Sequence, residues 1–412
     1  MDAYILAIGA ELLLGSVTDT NTAFLAQQLS AAGAKVAGTG IVGDNPDELV
    51  AAVRHSMSLA DVVLTTGGLG PTRDDLTRDA LMQIFGGELY LDETTTANVE
   101  RVMAARGRQM NRLTALQAMV PTSATVIQNP VGTAPILWFE ADGKVVVAMP
   151  GVPFELREVF VSEVLPRLKK RFQTKELHHA YLQTANIAES AVAELFAPLY
   201  DIPGLYIAYL PQTGYLNLRF DSANQAVADE ACARAAEILK DYVVSYTNDS
   251  PAQTLIGALR RRGYTVATAE SCTGGNIAHE ITAIAGCSDV MMGGVVAYSN
   301  SVKQAVLGVP EADLREHGAV SEPVARAMAE GVRCATGANV GIATTGIAGP
   351  GGGTPDKPVG TVWIAVSTPV GTTAFCRRFP GSRSRVIAQA TAAALLSALT
   401  AITSCLNLRP RL

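Results

Sequence analysis

The sequence predicts an α/β protein of more than one domain, and three observations carry that reading. The chain has 412 residues, too many for one ordinary core, and 48% of them are apolar, enough for well-packed interiors. Its first 150 residues alternate short strand-like runs with helical ones, the pattern of a parallel sheet covered on both faces. Glycine-rich turns follow strand-like runs, and ligands of such sheets bind beyond the carboxyl ends of strands.

Taken in order, Tyr4–Ile8 reads as a strand, Thr22–Ala32 as a helix and Lys35–Val42 as a strand. Asp47–Ser58 is helical, Asp61–Thr66 is a strand running into Gly67-Gly68, and Asp75–Phe85 is helical again. These elements predict a doubly wound, mostly parallel N-terminal sheet within residues 1–170. Polar residues around Phe172 to Lys175 interrupt the pattern. A small α+β middle domain over 171–249 follows, with a helix Glu189–Leu199, an extended run Leu216–Phe220 and a helix Ala223–Tyr242. Thr247 to Pro251 reads as a linker into a C-terminal α/β domain, 250–412. There is no internal repeat and no low-complexity tract.

A net charge of −6 disfavours non-specific nucleic-acid binding, which depends on Lys and Arg neutralising phosphates. No apolar run is expected to have the length and purity of a membrane span. Met1 to Ile5 enters a strand without a basic segment, which argues against a signal peptide. The six cysteines, Cys232, Cys272, Cys287, Cys334, Cys376 and Cys405, form no CxxC pair. Their scatter predicts reduced thiols in a cytoplasmic protein rather than disulfides or a zinc site. None of the five histidines has metal-ligand spacing.

The segment richest in chemistry is Ala269-Glu270-Ser271-Cys272-Thr273-Gly274-Gly275, between the β-prone run Tyr264–Ala269 and a helix expected over Asn276–Ala285. Ser271 would sit at a strand-to-helix turn beside N–H groups lacking intrahelical partners. A hydroxyl beside such donors suits acyl transfer. The same residues also suit an ordinary N-cap serine in a glycine-rich turn. Three further blocks follow, Gly293–Lys303, His317–Pro323 and Thr345–Gly360. The N-terminal half has Gly9–Gly15, Asp19-Thr20-Asn21 and Thr65–Thr77. There the Gly67–Gly70 turn suits a phosphate, and Asp74-Asp75 suits a hard divalent cation. Helix capping by Asp19 and first-turn acids at Asp74 and Asp75 explain the same residues without a ligand.

Over Pro251 to Cys405 the chain resembles the CinA C-terminal domain, a family of nicotinamide mononucleotide amidases. The N-terminal blocks resemble the molybdopterin-binding, MoCF-like domain found in full-length CinA proteins. The resemblance implies Ser271 as nucleophile, Lys303 as base and Tyr298 as proton relay or orienting group. A lysine base requires its pKa to fall from about 10.4 by roughly three units. The implied substrate contacts are Thr273, Gly274, Gly275, Thr345, Gly346, Gly349, Lys357 and Arg383, with Gly346–Gly353 as a phosphate or ribose cradle. No cofactor is implied for the amidase. Where the family often has a second arginine four residues beyond Arg383, this chain has Ile387, with Arg385 displaced by two. Cys272 is a rival nucleophile at the same turn, and His279 and His317 are read as structural.

For the N-terminal half the resemblance implies ADP-ribose pyrophosphatase activity with Mg, Mn or Co. Its nucleotide site would draw on Glu11, Asp19, Asn21, Gly67, Gly68, Gly70, Asp74 and Asp75, with Asp74 and Asp75 as metal ligands. Relatives commonly carry Thr or Asp where this chain has Ala10, which removes a polar contact. Asn129–Thr133 and Gly151-Val152-Pro153 also match, with no chemistry assigned. The implied partners are small nucleotide substrates and a second copy of the chain in a homodimer. Two other classes stay open: a non-catalytic competence or DNA-damage interaction protein, and an N-terminal domain that only binds a pterin or nucleotide.

Overall fold

A computed structural model describes residues 1–173 and 177–404, so Lys175 and Cys405 lie outside the described residues. The chain divides into two compact units, Met1–His178 and His179–Leu412.

The first unit holds β1 (Asp2–Ile8), β2 (Lys35–Val42), β3 (Val62–Thr66), β4 (Leu89–Leu91), β5 (Met119–Pro121), β6 (Thr125–Ile127), β7 (Ile136–Ala141) and β8 (Lys144–Met149). Its main sheet runs β2-β1-β3-β8-β7-β6. The first four strands are parallel, and β7 and β6 are antiparallel additions. Alternation along β1 explains the two-sided core. Ala3 and Ile5 pack with Leu25, Leu29 and Phe160 on one face, while Leu6 and Ile8 pack with Leu49, Val53 and Leu81 on the other. From β1 the chain goes outward to β2, then crosses back to β3 on the other side of β1. The order therefore reverses between β1 and β3, where Gly9 and Gly67 begin their turns.

The β7–β8 hairpin turns on Asp142 and Gly143, both at positive φ (53° and 78°), the conformation that two-residue hairpin turns favour. The helix expected from Asp75 starts at Thr77, because Asp75 is used to brace the preceding turn.

The second unit opens with β9 (His178–Thr184), β10 (Tyr206–Gln212), β11 (Tyr215–Ser222) and β12 (Val243–Ser245), in the order β10-β11-β9-β12. Leu216, Leu218 and Phe220 alternate inward against the helix Gln225–Ile238. The helix expected over Glu189–Leu199 stops at Leu195, and Pro198 sits in a separate 3-10 turn. The helix expected over Ala223–Tyr242 is shorter, with Asn224 accepting from the Ala226 N–H at its start.

Beyond it lie β13 (Val266–Glu270), β14 (Met291–Val296), β15 (Val340–Gly346), β16 (Thr361–Thr368) and β17 (Gly371–Arg378), in the order β14-β13-β15-β16-β17. The linker expected over Thr247–Pro251 already contains a helix start. Ser250 and Gln253 form a reciprocal capping box, and Pro251 opens the helix Pro251–Arg262. That helix, Asn276–Thr282 and Arg383–Ser404 bury one face of the sheet, while Asn300–Leu307 and Glu322–Thr336 bury the other.

One expectation is corrected here. The segment Arg383–Thr403 is long and apolar enough to cross a membrane by length and composition, with mean hydropathy 1.7. Its apolar residues have another use: 56% of its apolar 18-residue stretch is buried, with Val386, Ala390, Ala394, Leu395 and Leu399 in the core. Strands β13, β14 and β15 are parallel, so their carboxyl ends deliver Ser271, Tyr298 and Gly346 to one edge of the sheet.

Candidate active site

Ser271 follows β13 directly and is 9% exposed. Its N–H donates to the Thr344 carbonyl on β15 at 2.9 Å, so the neighbouring strand fixes its backbone. Lys303 enters from the other side, on the first helical turn after Ser299 caps Asn300–Leu307. Its Nζ lies 3.2 Å from Ser271 Oγ, 2.7 Å from the Ala297 carbonyl and 3.3 Å from the Tyr298 carbonyl. Lys303 is 1% exposed, and among the described residues no carboxylate comes within ion-pair distance of it. Burial pushes its ammonium pKa down, opposed by the charge a Cys272 thiolate would carry.

Ser271 and Lys303 open into a cavity of about 240 Å³. Thr345, Gly346 and Arg383 share its lining with Ala348 of the expected Gly346–Gly353 cradle, and with Asn300, Ala319 and Val320, to which sequence reasoning gave no role. Arg383 is held by the Gly349 carbonyl at 2.9 Å and the Tyr298 phenol at 3.3 Å. The Tyr298 ring is 64% exposed at the mouth. Its phenol meets Arg383, and only its main-chain carbonyl meets Lys303. Gly346 must be small, since an added Cβ would lie 2.7 Å from the Thr361 carbonyl on β16.

Several expected contacts sit elsewhere. Thr273 is buried behind the turn, and neither it nor Gly274 nor Gly275 lines the cavity. Lys357 ties back to the His317 carbonyl at 2.8 Å, outside the lining. Gly349 touches the site only through its carbonyl to Arg383. Arg385 is exposed next to Gly381. His279 and His317 are exposed and off the cavity. Cys272 faces it, but burial pushes its thiol up to about 12, so it is a neutral wall residue.

The free helix N-terminus expected after Ser271 is already filled. Glu270, the last residue of β13 and 1% exposed, turns its carboxylate into that terminus. Gly275 and Ile277 N–H groups donate to Oε2 at 3.0 Å each, and Ala278 N–H donates to Oε1 at 2.9 Å. Thr273 Oγ1 donates to Oε2 at 2.7 Å. The signal was present in the sequence: an acid closing an apolar strand immediately before a glycine-rich turn.

In the first unit Gly68, Gly70 and Asp75 line one small cavity, and Glu11, Asp19, Asn21, Gly67 and Asp74 are outside its lining. Asp75 Oδ1 accepts the Gly70 N–H and Oδ2 the Thr72 N–H, each at 2.8 Å, with the Thr72 hydroxyl also on Oδ2. Asp74 is exposed beside it. Asp19 Oδ1 accepts from the Asn21 and Thr22 N–H groups, both at 3.0 Å, which is a helix cap. Asn21 bridges Thr66 Oγ1 at 3.0 Å and the Gly151 carbonyl at 2.8 Å. Glu11 is exposed and folds back over Gly9, where an added Cβ would meet Oε1 at 2.4 Å. Gly67 and Gly68 turn at positive φ (109° and 66°), and Thr77 Oγ1 closes the turn on the Gly67 carbonyl at 2.8 Å. Among the described residues no group of three His, Cys, Asp or Glu side chains is placed to hold a metal ion. Asp75, whose oxygens serve the backbone, does not fit the expected ligand pair. Asn129, without assigned chemistry in the sequence, braces its own loop and donates to Glu155 Oε2 at 3.0 Å.

Residues 248–402 match the CinA C-terminal domain, and residues 4–170 match a domain described as "Probable molybdopterin binding domain". A CinA-like protein of Gemmatimonas aurantiaca is 42% identical over 397 residues, covering 94% of this chain and 93% of its own. Another, from Salinibacter ruber, is 44% identical over 373 residues, covering 88% and 90%. The solved structure of a competence/damage inducible protein from Agrobacterium tumefaciens is 40% identical over 37% of this chain and 93% of its own, with a TM-score of 0.36. Identity of this order across nearly the whole of both chains means that this protein belongs to the CinA family.

Proposed function

We propose that the C-terminal domain is a serine amidohydrolase that converts nicotinamide mononucleotide to nicotinate mononucleotide and ammonia. The observation that carries it is the buried contact of Ser271 Oγ with Lys303 Nζ, 3.2 Å apart at one wall of a cavity. A lysine without a carboxylate partner and with a depressed pKa is a competent base when neutral. Neutral Lys303 takes the Ser271 proton as Oγ attacks the carboxamide carbon. The resulting ammonium then gives that proton to the departing nitrogen, releasing ammonia and leaving an ester on Ser271. Water attacks the ester, again losing a proton to Lys303, and the acid product leaves with Oγ reprotonated. The Cys272 N–H follows the nucleophile at the cavity wall, has no backbone acceptor among the described residues, and serves here as an oxyanion donor. Arg383, at the mouth of the cavity, takes the nucleotide phosphate.

The test is hydroxylamine trapping during turnover. An acyl-enzyme partitions to the hydroxamate as well as the acid, with ammonia release equal to their sum. Absence of both products would remove the amidase reading and favour a non-catalytic interaction protein. For the N-terminal unit the proposal is narrower. Its glycine turns at the β1/β3 reversal suit a phosphate-bearing nucleotide or pterin. Cleavage of ADP-ribose with Mg, Mn or Co tests whether a metal activity exists there.

A further inference from the structure

We infer that Glu270 is a positioning residue for the amidase: its buried carboxylate locks the nucleophile turn, and so holds Ser271 Oγ against Lys303. This rests on the amidase reading of the same site.

The carboxylate takes four donors at once: three backbone N–H groups of Gly275, Ile277 and Ala278, and the Thr273 hydroxyl. All four lie within the eight residues after it, so one side chain closes the whole strand-to-helix turn on itself. The Thr273 oxygen is also 2.7 Å from Thr344 Oγ1. Thr344 is the residue whose carbonyl receives the Ser271 N–H at 2.9 Å. A continuous buried chain therefore runs from Glu270 through Thr273 to Thr344 of β15, whose carbonyl holds the Ser271 N–H.

The arrangement has a chemical reason. A glycine-rich turn such as Thr273-Gly274-Gly275 has little steric preference of its own, since Gly274 and Gly275 both sit at positive φ (64° and 99°). A nucleophile next to such a turn needs an external constraint to remain within reach of its base. Displacement of a reacting group by about 1 Å can cost 10²-fold in rate. The carboxylate also occupies the helix terminus, so the anionic part of a substrate is directed to the Arg383 side of the cavity instead.

The experiment compares native protein with Glu270→Gln, Glu270→Asp and Thr273→Val. It reads kcat and KM for nicotinamide mononucleotide, thermal midpoint, and the rate at which a small fluorophosphonate labels Ser271, located by mass spectrometry. In labelling, the Oγ–P bond forms, the P–F bond breaks with loss of fluoride, and the hydroxyl proton passes to Lys303. Glutamine fills the same space but presents an NH₂ where an acceptor oxygen is needed. Its kcat and labelling rate should fall together by about 10- to 100-fold, with KM changed less than about threefold. Glu270→Asp, which keeps the charge but is one methylene shorter, should recover part of the labelling rate. Thr273→Val, which keeps the carboxylate and its three backbone donors, should show a smaller fall of the same kind and decides the matter if Glu270→Gln does not fold. Folded variants that label and turn over at the native rate, or that lose activity only in proportion to unfolded protein, overturn the inference. The labelling arm needs no nucleotide, so a native protein that labels at Ser271 but ignores nicotinamide mononucleotide would cost the substrate reading alone.

Discussion

The turn after β13 and the turn after β3 are built on one plan and end up with different capacities. Each follows a parallel strand, each contains two positive-φ glycines, and in each an acid folds onto the turn's own N–H groups. Beyond the β13 turn, Lys303 arrives from a separate helix to meet Ser271, and Arg383 arrives from another. Beyond the β3 turn, Asp19 caps a helix, Asn21 ties strand ends together, and Asp75 is spent on its own loop. A glycine-rich turn after a strand is therefore a frame, and convergence of side chains from other elements makes it a site.

The sharpest break in that comparison is Ser271→Ala. Ammonia release should fall by roughly 10³-fold or more, while Cys272→Ala, which removes a neutral wall thiol, stays within about threefold of native. Lys303→Met should match the serine variant, because base and nucleophile act as one unit. The pH dependence carries the sign of the Lys303 shift. With its folded pKa below the ordinary lysine value, kcat/KM should rise with pH through that depressed value and level off above it. The same shift penalises protonation in the folded state, so this group's share of stability falls as pH drops through the folded value and is whole above the unfolded one.

Smaller effects sharpen the contrast between frame and site. Gly346→Ala should cost about 1–3 kcal/mol by thermal or denaturant unfolding, because its Cβ would meet the β16 backbone. Asp75→Ala should cost about 1–2 kcal/mol through the lost turn bonds, while exposed Asp74→Ala stays within about 0.5 kcal/mol. If Asp75→Ala leaves stability intact but abolishes a metal-dependent cleavage, the account of the first unit is wrong. Lys357→Ala should leave the KM for nicotinamide mononucleotide within about twofold, since its Nζ is held at His317 outside the cavity.

Much of this was legible in the sequence, for identifiable reasons. Strand and helix periodicity gave β1, β2 and β3 with their helices to within a few residues. Ser271, Lys303 and Arg383 were readable because each stands in a long motif at the end of a strand or start of a helix. Contacts that depend on which way a turn faces were not. Thr273, Gly274 and Gly275 read as substrate contacts; the fold turns the Thr273 hydroxyl and the Gly275 N–H to Glu270 and the Gly274 N–H to the Ser271 carbonyl. Tyr298 read as a relay or orienting group; its phenol meets Arg383 and its carbonyl meets Lys303, a division of contacts that the motif alone does not show. The β7–β8 hairpin is marked in the sequence by Asp142-Gly143, a strong turn signal, although the reading by alternating strands and helices does not include it. Asp75 could not be sorted by sequence, since an acid that binds a metal and an acid that caps a turn look alike until their oxygens are counted.

The central claim is that Ser271 and Lys303 form a working pair on the carboxamide of nicotinamide mononucleotide. Its most direct test is the rate of ammonia release from that nucleotide by native protein, Ser271→Ala and Lys303→Met, each shown to be folded. Release by the native chain alone is the predicted result. Release by native protein that survives in folded Ser271→Ala, or no release from any of the three, would contradict it.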